Sequence, residues 1–291
     1  MSKNTTAATK KREELQALQR AQAEATRRRR ILIVAAGVVA LALILVGIVI
    51  WQTTPDEPPP VETTSPTWSS QFLPPHLGEE GAWIEVKSDN VSPNAIIFDE
   101  HIDYQCPYCG VAEQMLGATL RELAERGDII WRVHIRNFVD IMVKNDSSTR
   151  AAQAALCADV VGHFSQFHQV VFANQPTEGV GYTDQQLRVQ FPVAAGINGE
   201  NLTDFQGCYD SGQTVSMVQR MNQVNSDSRT VNGAEQDPPG GTPAFFVHSA
   251  KVGLLEMVNL NPEKTSWIYV VDPSPDEFLT FLRTVAGPSH N

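Results

Sequence analysis

The chain has 291 residues and a net charge of -11, an average that hides a sharp split. The first thirty residues carry nine basic side chains against three glutamates, which leaves the rest of the chain at -17. An acidic globular part argues against nucleic acid as its partner, since phosphate binding needs a basic surface.

Residues 1–30 read as a basic tail, with a role in topology and lipid-headgroup attraction. Residues 31–51, ILIVAAGVVALALILVGIVIW, carry no charge. As a helix they would span about 30 Å, the hydrocarbon thickness of a bilayer. Arg27 to Arg30 stop just before this run and Trp51 closes it. The positive-inside rule then predicts a single-pass anchor with a cytoplasmic N-terminus and everything after Trp51 outside. The competing reading is a cleaved signal peptide. Its apolar region is usually shorter, and no small-x-small cleavage site follows Trp51. Residues 52–81 hold Pro55, Pro58, Pro59, Pro60, Pro66, Pro74 and Pro75 among Thr, Ser and Glu, the composition of an extended linker.

Residues 82–291 are expected to form the folded domain, beginning near Trp83. Ala82 to Lys87 alternates apolar and charged residues and predicts a strand. Ala95-Ile96-Ile97-Phe98 is wholly apolar, as in a buried strand. A helix is expected after Cys106, with Val111, Met115, Leu116, Leu120 and Leu123 on its buried face and Gly127 as its C-terminal cap. Trp131 to Arg136 alternates again and predicts another strand.

From about 147 to 230 the pattern is helical, with Cys157, Val160, Val161 and Phe164 as one apolar stripe. Strands are expected again at Ala244 to Val247 and Trp267 to Val271. A last helix should start with Ser274 as cap, Pro275 in the first position and Glu277 completing a capping box. Phe278, Phe281, Leu282 and Val285 would form its buried face. No internal repeat is present.

Cys106-Pro107-Tyr108-Cys109 follows a buried strand and opens a helix. At a helix N-terminus, free N–H groups and the helix dipole stabilise a thiolate, the species that attacks disulfides. Pro107 fits the first turn because it needs no N–H partner there. Cys109, one turn on, can attack a mixed disulfide at Cys106 and release its partner. A zinc knuckle would need a second close pair of Cys or His, and Cys157 and Cys208 are isolated singles. Thiol–disulfide exchange is the chemistry this placement favours, and neither metal nor cofactor is assigned.

The run Glu100-His101-Ile102-Asp103-Tyr104-Gln105-Cys106-Pro107-Tyr108-Cys109 resembles the active-site segment of bacterial DsbA-like thiol–disulfide oxidoreductases. Gly241-Thr242-Pro243-Ala244-Phe245-Phe246-Val247 resembles their cis-proline strand. The resemblance covers roughly residues 82–290. It implies an α/β thioredoxin fold with a helical domain inserted between its halves. It further implies that Cys106 is the exposed nucleophile, Cys109 the buried resolving thiol and Pro243 cis beside them. Thr242 would offer backbone bonds to an extended substrate. Glu100 falls where this family often carries a buried acid near the second cysteine; an exposed strand-end carboxylate is the other reading. Pro-Tyr between the cysteines also resembles glutaredoxins, which are reducing proteins.

Cys157 and Cys208 are expected to pair as a structural disulfide, because the compartment outside the membrane is oxidising. Two buried free thiols are the alternative. His101, close to Cys106 in sequence, is a candidate for tuning its thiolate.

The leading expectation is an oxidase that gives its disulfide to exported, unfolded or partly folded proteins with free thiols. The resemblance implies a membrane oxidoreductase that reoxidises it. The alternatives are a disulfide isomerase or reductase, and a thioredoxin-fold binding module without turnover.

Overall fold

The computed structural model describes residues 72–226, 229–231, 234–236, 240–248 and 250–287. The expected basic tail, the transmembrane helix over 31–51 and most of the proline-rich linker lie outside them. Among the described residues no helix is long and apolar enough to cross a membrane.

The strands are β1 (Ile84–Val86), β2 (Ile96–Asp103), β3 (Ile129–Arg136), β4 (Arg229–Val231), β5 (Ala234–Gln236), β6 (Ala244–Val247), β7 (Ala250–Val252), β8 (Val258–Leu260) and β9 (Trp267–Tyr269). Five of them make one sheet in the order β1-β3-β2-β6-β7, with β2 and β3 parallel and the other pairs antiparallel. The helices are α1 (Pro107–Glu125), α2 (Phe138–Val143), α3 (Ser147–Val160), α4 (Phe164–Ala173), α5 (Phe191–Ala194), α6 (Gly199–Ser211), α7 (Val215–Val224), α8 (Leu254–Met257) and α9 (Pro275–Ala286).

Strand β2 is central and carries burial along almost its whole length, which an apolar start at Ile96 and Phe98 anticipates. Its continuation through Asp99 to Asp103 is buried too, because these polar groups find partners inside. Asp99 meets His134 at 2.6 Å, and Asp103 accepts from the N–H groups of Gln105 and Val139 and from the Ser148 hydroxyl. Helix α1 packs on β3 and α9 on β2, β6 and β7, with the two helices against each other. Helix α7 packs on β3, and Asn225 just past it bonds the His134 ring.

Gly127 ends α1 at φ +76°, and the N–H groups of Gly127 and Asp128 return to the carbonyls of Ala124 and Leu123. A side chain there would strike the Asn90 carbonyl oxygen at 2.3 Å, so glycine is required twice over.

Helices α2 to α7 fill the stretch between β3 and β4, an all-helical insertion in the sheet fold. It starts nine residues before the expected boundary at 147, at Phe138. The stripe expected over Cys157 to Phe164 is broken, since α3 ends at Val160 and α4 starts at Phe164 after the positive-φ Gly162. Cys157 on α3 and Cys208 on α6 are disulfide-bonded, Cα to Cα 5.7 Å, deep in the insertion core.

Three further sequence expectations differ from the structure. Folding begins before residue 82: the chain bridges Leu77 to Ile84, and His76 bonds the buried Asp159 through its N–H and its ring. Pro74 and Pro75 therefore lead into packed chain rather than continuing a spacer. The strand at Trp267 forms, as β9, but it ends at Tyr269 rather than Val271 and pairs with β8 in a two-stranded sheet of its own; one edge of the main sheet is β7. Alternation alone reports that a segment is extended, not which strand it joins. The capping box of α9 does not form. Pro275 holds the first position, and the Ser274 N–H donates to the Asp272 carboxylate instead.

Candidate active site around Cys106 and Cys109

Where β2 ends, the Cys106 N–H turns back to the Asp103 carbonyl at 2.9 Å. Cys106 then caps α1 in extended conformation, with Pro107 in the first helical position. The Cys106 carbonyl accepts the first helical bonds, from the N–H groups of Cys109 at 3.0 Å and Gly110 at 3.3 Å. Both cysteines are free thiols. Cys109 is fully buried, whereas Cys106 keeps 7% of its surface open. The nucleophile position is thus a narrow opening rather than the exposed group expected from sequence.

Opposite them lies the start of β6. Its antiparallel register sets Ala244 against His101, so continuing it carries Pro243 and Thr242 past Ile102 and Asp103 toward Cys106. The Thr242–Pro243 bond is cis, and the Cys106 thiol donates to the Thr242 carbonyl at 3.2 Å.

The two thiols are driven apart in acidity. The Cys106 pKa is lowered to about 6, first by a hydrogen bond from the Cys109 thiol. The backbone N–H groups of Cys109 and Tyr108 add to it, as a helix start allows, and together these outweigh burial. Cys109 moves upward, because burial and the neighbouring Cys106 both disfavour its thiolate. One cysteine is set to attack at neutral pH and the other is held in reserve.

Glu100 is 2% exposed, which removes the exposed strand-end reading. Its carboxylate accepts from Trp131 Nε1 at 2.9 Å. Burial, with the nearby Glu113 charge, raises its pKa to about 8. Glu113 stays ionised despite burial, through His168 at 3.5 Å and Arg121. Sequence reasoning missed Glu113, although it sits one turn beyond Cys109 on the same buried face as Leu116 and Leu120. His101 goes elsewhere. Strand alternation turns it away from Glu100, and its ring stacks on His134 at 4.2 Å.

The insertion reaches the site as well. Gln105 Nε2 bonds Asp140, Asn145 and Ser148 at 2.8 to 2.9 Å, and the Tyr182 hydroxyl donates to the Tyr104 carbonyl at 2.8 Å. No sequence signal marked these contacts, because they join residues more than thirty positions apart. Among the described residues no group of three or more His, Cys, Asp or Glu is placed to hold a metal ion.

A strand-to-helix turn with two thiols on the first helical turn, faced by a cis-proline strand, defines a DsbA-like thioredoxin-fold protein. A family model described as thioredoxin matches residues 92–258, and the chain belongs to that family. Among the solved structures that share the fold are two from Mycobacterium tuberculosis. One is the reduced form of the disulfide bond oxidoreductase DsbG from Mycobacterium tuberculosis, 20% identical, covering 72% of this chain and 89% of that one, with a TM-score of 0.51. The other is reduced DsbA from Mycobacterium tuberculosis, 19% identical, covering 71% and 93%, with a TM-score of 0.51. No curated protein matches the chain.

Proposed function

We propose that the protein is a membrane-anchored thiol–disulfide oxidoreductase acting outside the cytoplasm as an oxidase, through Cys106 and Cys109. The carrying observation is the acidified Cys106 thiol beside the buried Cys109. A stabilised thiolate stabilises the reduced form, which makes the disulfide form the stronger oxidant. The likeness to the disulfide bond oxidoreductase DsbG supports the reading.

In the reaction, a substrate thiolate attacks Cys106 Sγ of the Cys106–Cys109 disulfide. The sulfur–sulfur bond breaks, a mixed disulfide forms at Cys106, and Cys109 leaves and takes up a proton. A second substrate thiolate then attacks the substrate sulfur, and Cys106 departs as its stable thiolate. The substrate leaves with a new disulfide and the protein with two thiols. A membrane oxidoreductase then withdraws the electron pair. Thr242 and Pro243 are assigned the docking of an extended substrate segment, and Glu100 the handling of the Cys109 proton.

The anchor rests on the uncharged run 31–51 behind Arg27 to Arg30. It would keep the site where exported chains emerge. A reporter fused after His290 should be active only outside the cytoplasm; activity inside would overturn the topology.

The direction of exchange is tested by equilibrating the full-length protein with glutathione buffers. The expected potential is well above that of thioredoxin, about -270 mV. A value at or below that would make the protein a reductase.

A further inference from the structure

The segment that delivers Cys106 is held from the insertion by the side chain of Gln175. Gln175 lies two residues beyond the end of α4, its own N–H bonded to the Phe172 carbonyl at 3.1 Å. Its Nε2 donates to the carbonyls of Tyr104 and Cys106, each at 2.9 Å. An amide nitrogen has two protons, and both are spent on the backbone around the nucleophile.

The second of those carbonyls matters most. The Cys106 carbonyl is the first acceptor of α1, already receiving Cys109 and Gly110 N–H. Its orientation sets the pitch of the turn that aims the Tyr108 and Cys109 N–H groups at Cys106 Sγ. A third donor from outside the helix fixes that turn.

Gly110 supplies an independent observation. It lies inside α1, where glycine is a poor helix former, and its φ is not in the left-handed region. Its backbone therefore does not call for glycine; the space does. A Cβ on Gly110 would meet Gln175 Oε1 at 2.2 Å and Cδ at 3.1 Å. Any side chain there displaces the Gln175 amide from its two carbonyls.

We propose that Gln175 is a positioning residue for Cys106, and that position 110 is glycine in order to admit it. The inference rests on the exchange reading and adds a residue to it. The insertion then does more than cover the thioredoxin sheet, because one of its side chains sets the geometry of the reactive turn. Gln175, Gly110, Pro107 and Gln169 share the lining of a groove of about 610 Å³, so the amide has room to swing out when pushed.

The experiment follows Cys106 itself rather than turnover. The rate of iodoacetamide alkylation is measured against pH on the reduced full-length protein, with Cys106→Ala giving the background. Gln175→Ala should raise the pH midpoint of Cys106 by about half a unit, a roughly twofold loss of thiolate at the original midpoint. Gly110→Ala should raise it by a similar amount while leaving thermal stability equal or higher, since alanine favours the helix. The double variant should match either single one, because each removes the same contact.

Unchanged midpoints in both single variants overturn the proposal. So do shifts that add in the double variant, and so does a loss of stability in Gln175→Ala without a shift. A wild-type protein with a normal Cys106 profile but no exchange activity would sink the oxidoreductase reading and leave this test intact.

Discussion

The chain holds two pairs of cysteines, and the fold treats them in opposite ways. Cys106 and Cys109 stand three residues apart at the start of α1, unpaired, one opening narrowly to solvent and one fully buried. Cys157 and Cys208 come from helices 51 residues apart and are joined in the insertion core. The same side chain therefore serves two chemistries. A helix start, a donor thiol and free N–H groups make the first pair reactive; deep apolar burial makes the second inert.

The comparison breaks first at the reactive pair. Cys106→Ala should remove exchange entirely in an insulin-reduction or thiol-oxidation assay. Replacing Cys157 and Cys208 together by alanine should leave the rate per folded molecule within about twofold and cost about 4 kcal/mol of stability by the chain-entropy argument. An intact rate in Cys106→Ala would reverse the assignment.

The division of labour inside the reactive pair gives the next effect. Cys109→Ala should accumulate mixed disulfides on non-reducing gels, since nothing then resolves the Cys106 adduct. Adducts trapped by Cys106→Ala instead would exchange the two roles.

A smaller effect separates the reduced from the oxidised protein. The Cys106 pKa in the folded state lies near 6, below that of an unfolded thiol near 9. A depressed acid stabilises the fold above its unfolded pKa and loses that contribution as pH falls through the folded one. The reduced protein should therefore gain melting temperature relative to the oxidised protein between pH 6 and 9. In the oxidised form Cys106 does not titrate, and the gain should vanish. A constant difference across that window would contradict the acidified thiol.

Glu100 supplies the opposite slope. Its folded pKa, raised to about 8, means the fold prefers it protonated, so stability falls as pH rises from about 4.5 to 8. In Glu100→Gln that decline should flatten in thermal melts of both redox forms.

Much of the site is legible in the sequence alone. Cys106, Pro107 and the apolar run behind them announce a strand-to-helix turn, and Thr242-Pro243 ahead of an apolar strand marks the facing segment. Both are local patterns with local causes. The partners of Glu100 are not local. Trp131 and Glu113 reach it only after β2, β3 and α1 pack, and its burial could not be read from a strand end. His101 was misplaced for a related reason. Nearness in sequence suggested nearness to Cys106, while strand alternation sends it to the other face. The edge strand β7 was missed because Ala250-Lys251-Val252 is too short and mixed to carry a periodic signal.

His76 has a mechanical consequence. Tension drawn through the residues before Phe72 would reach the fold at Phe72, which packs against the core, and then at the Leu77 bridge to Ile84 and the two bonds from His76 to Asp159. Asp159 sits on α3 two residues past Cys157, so part of that load runs straight into the covalent link to Cys208. Under such a load α3 and α6 would be held together by a covalent bond as well as by packing.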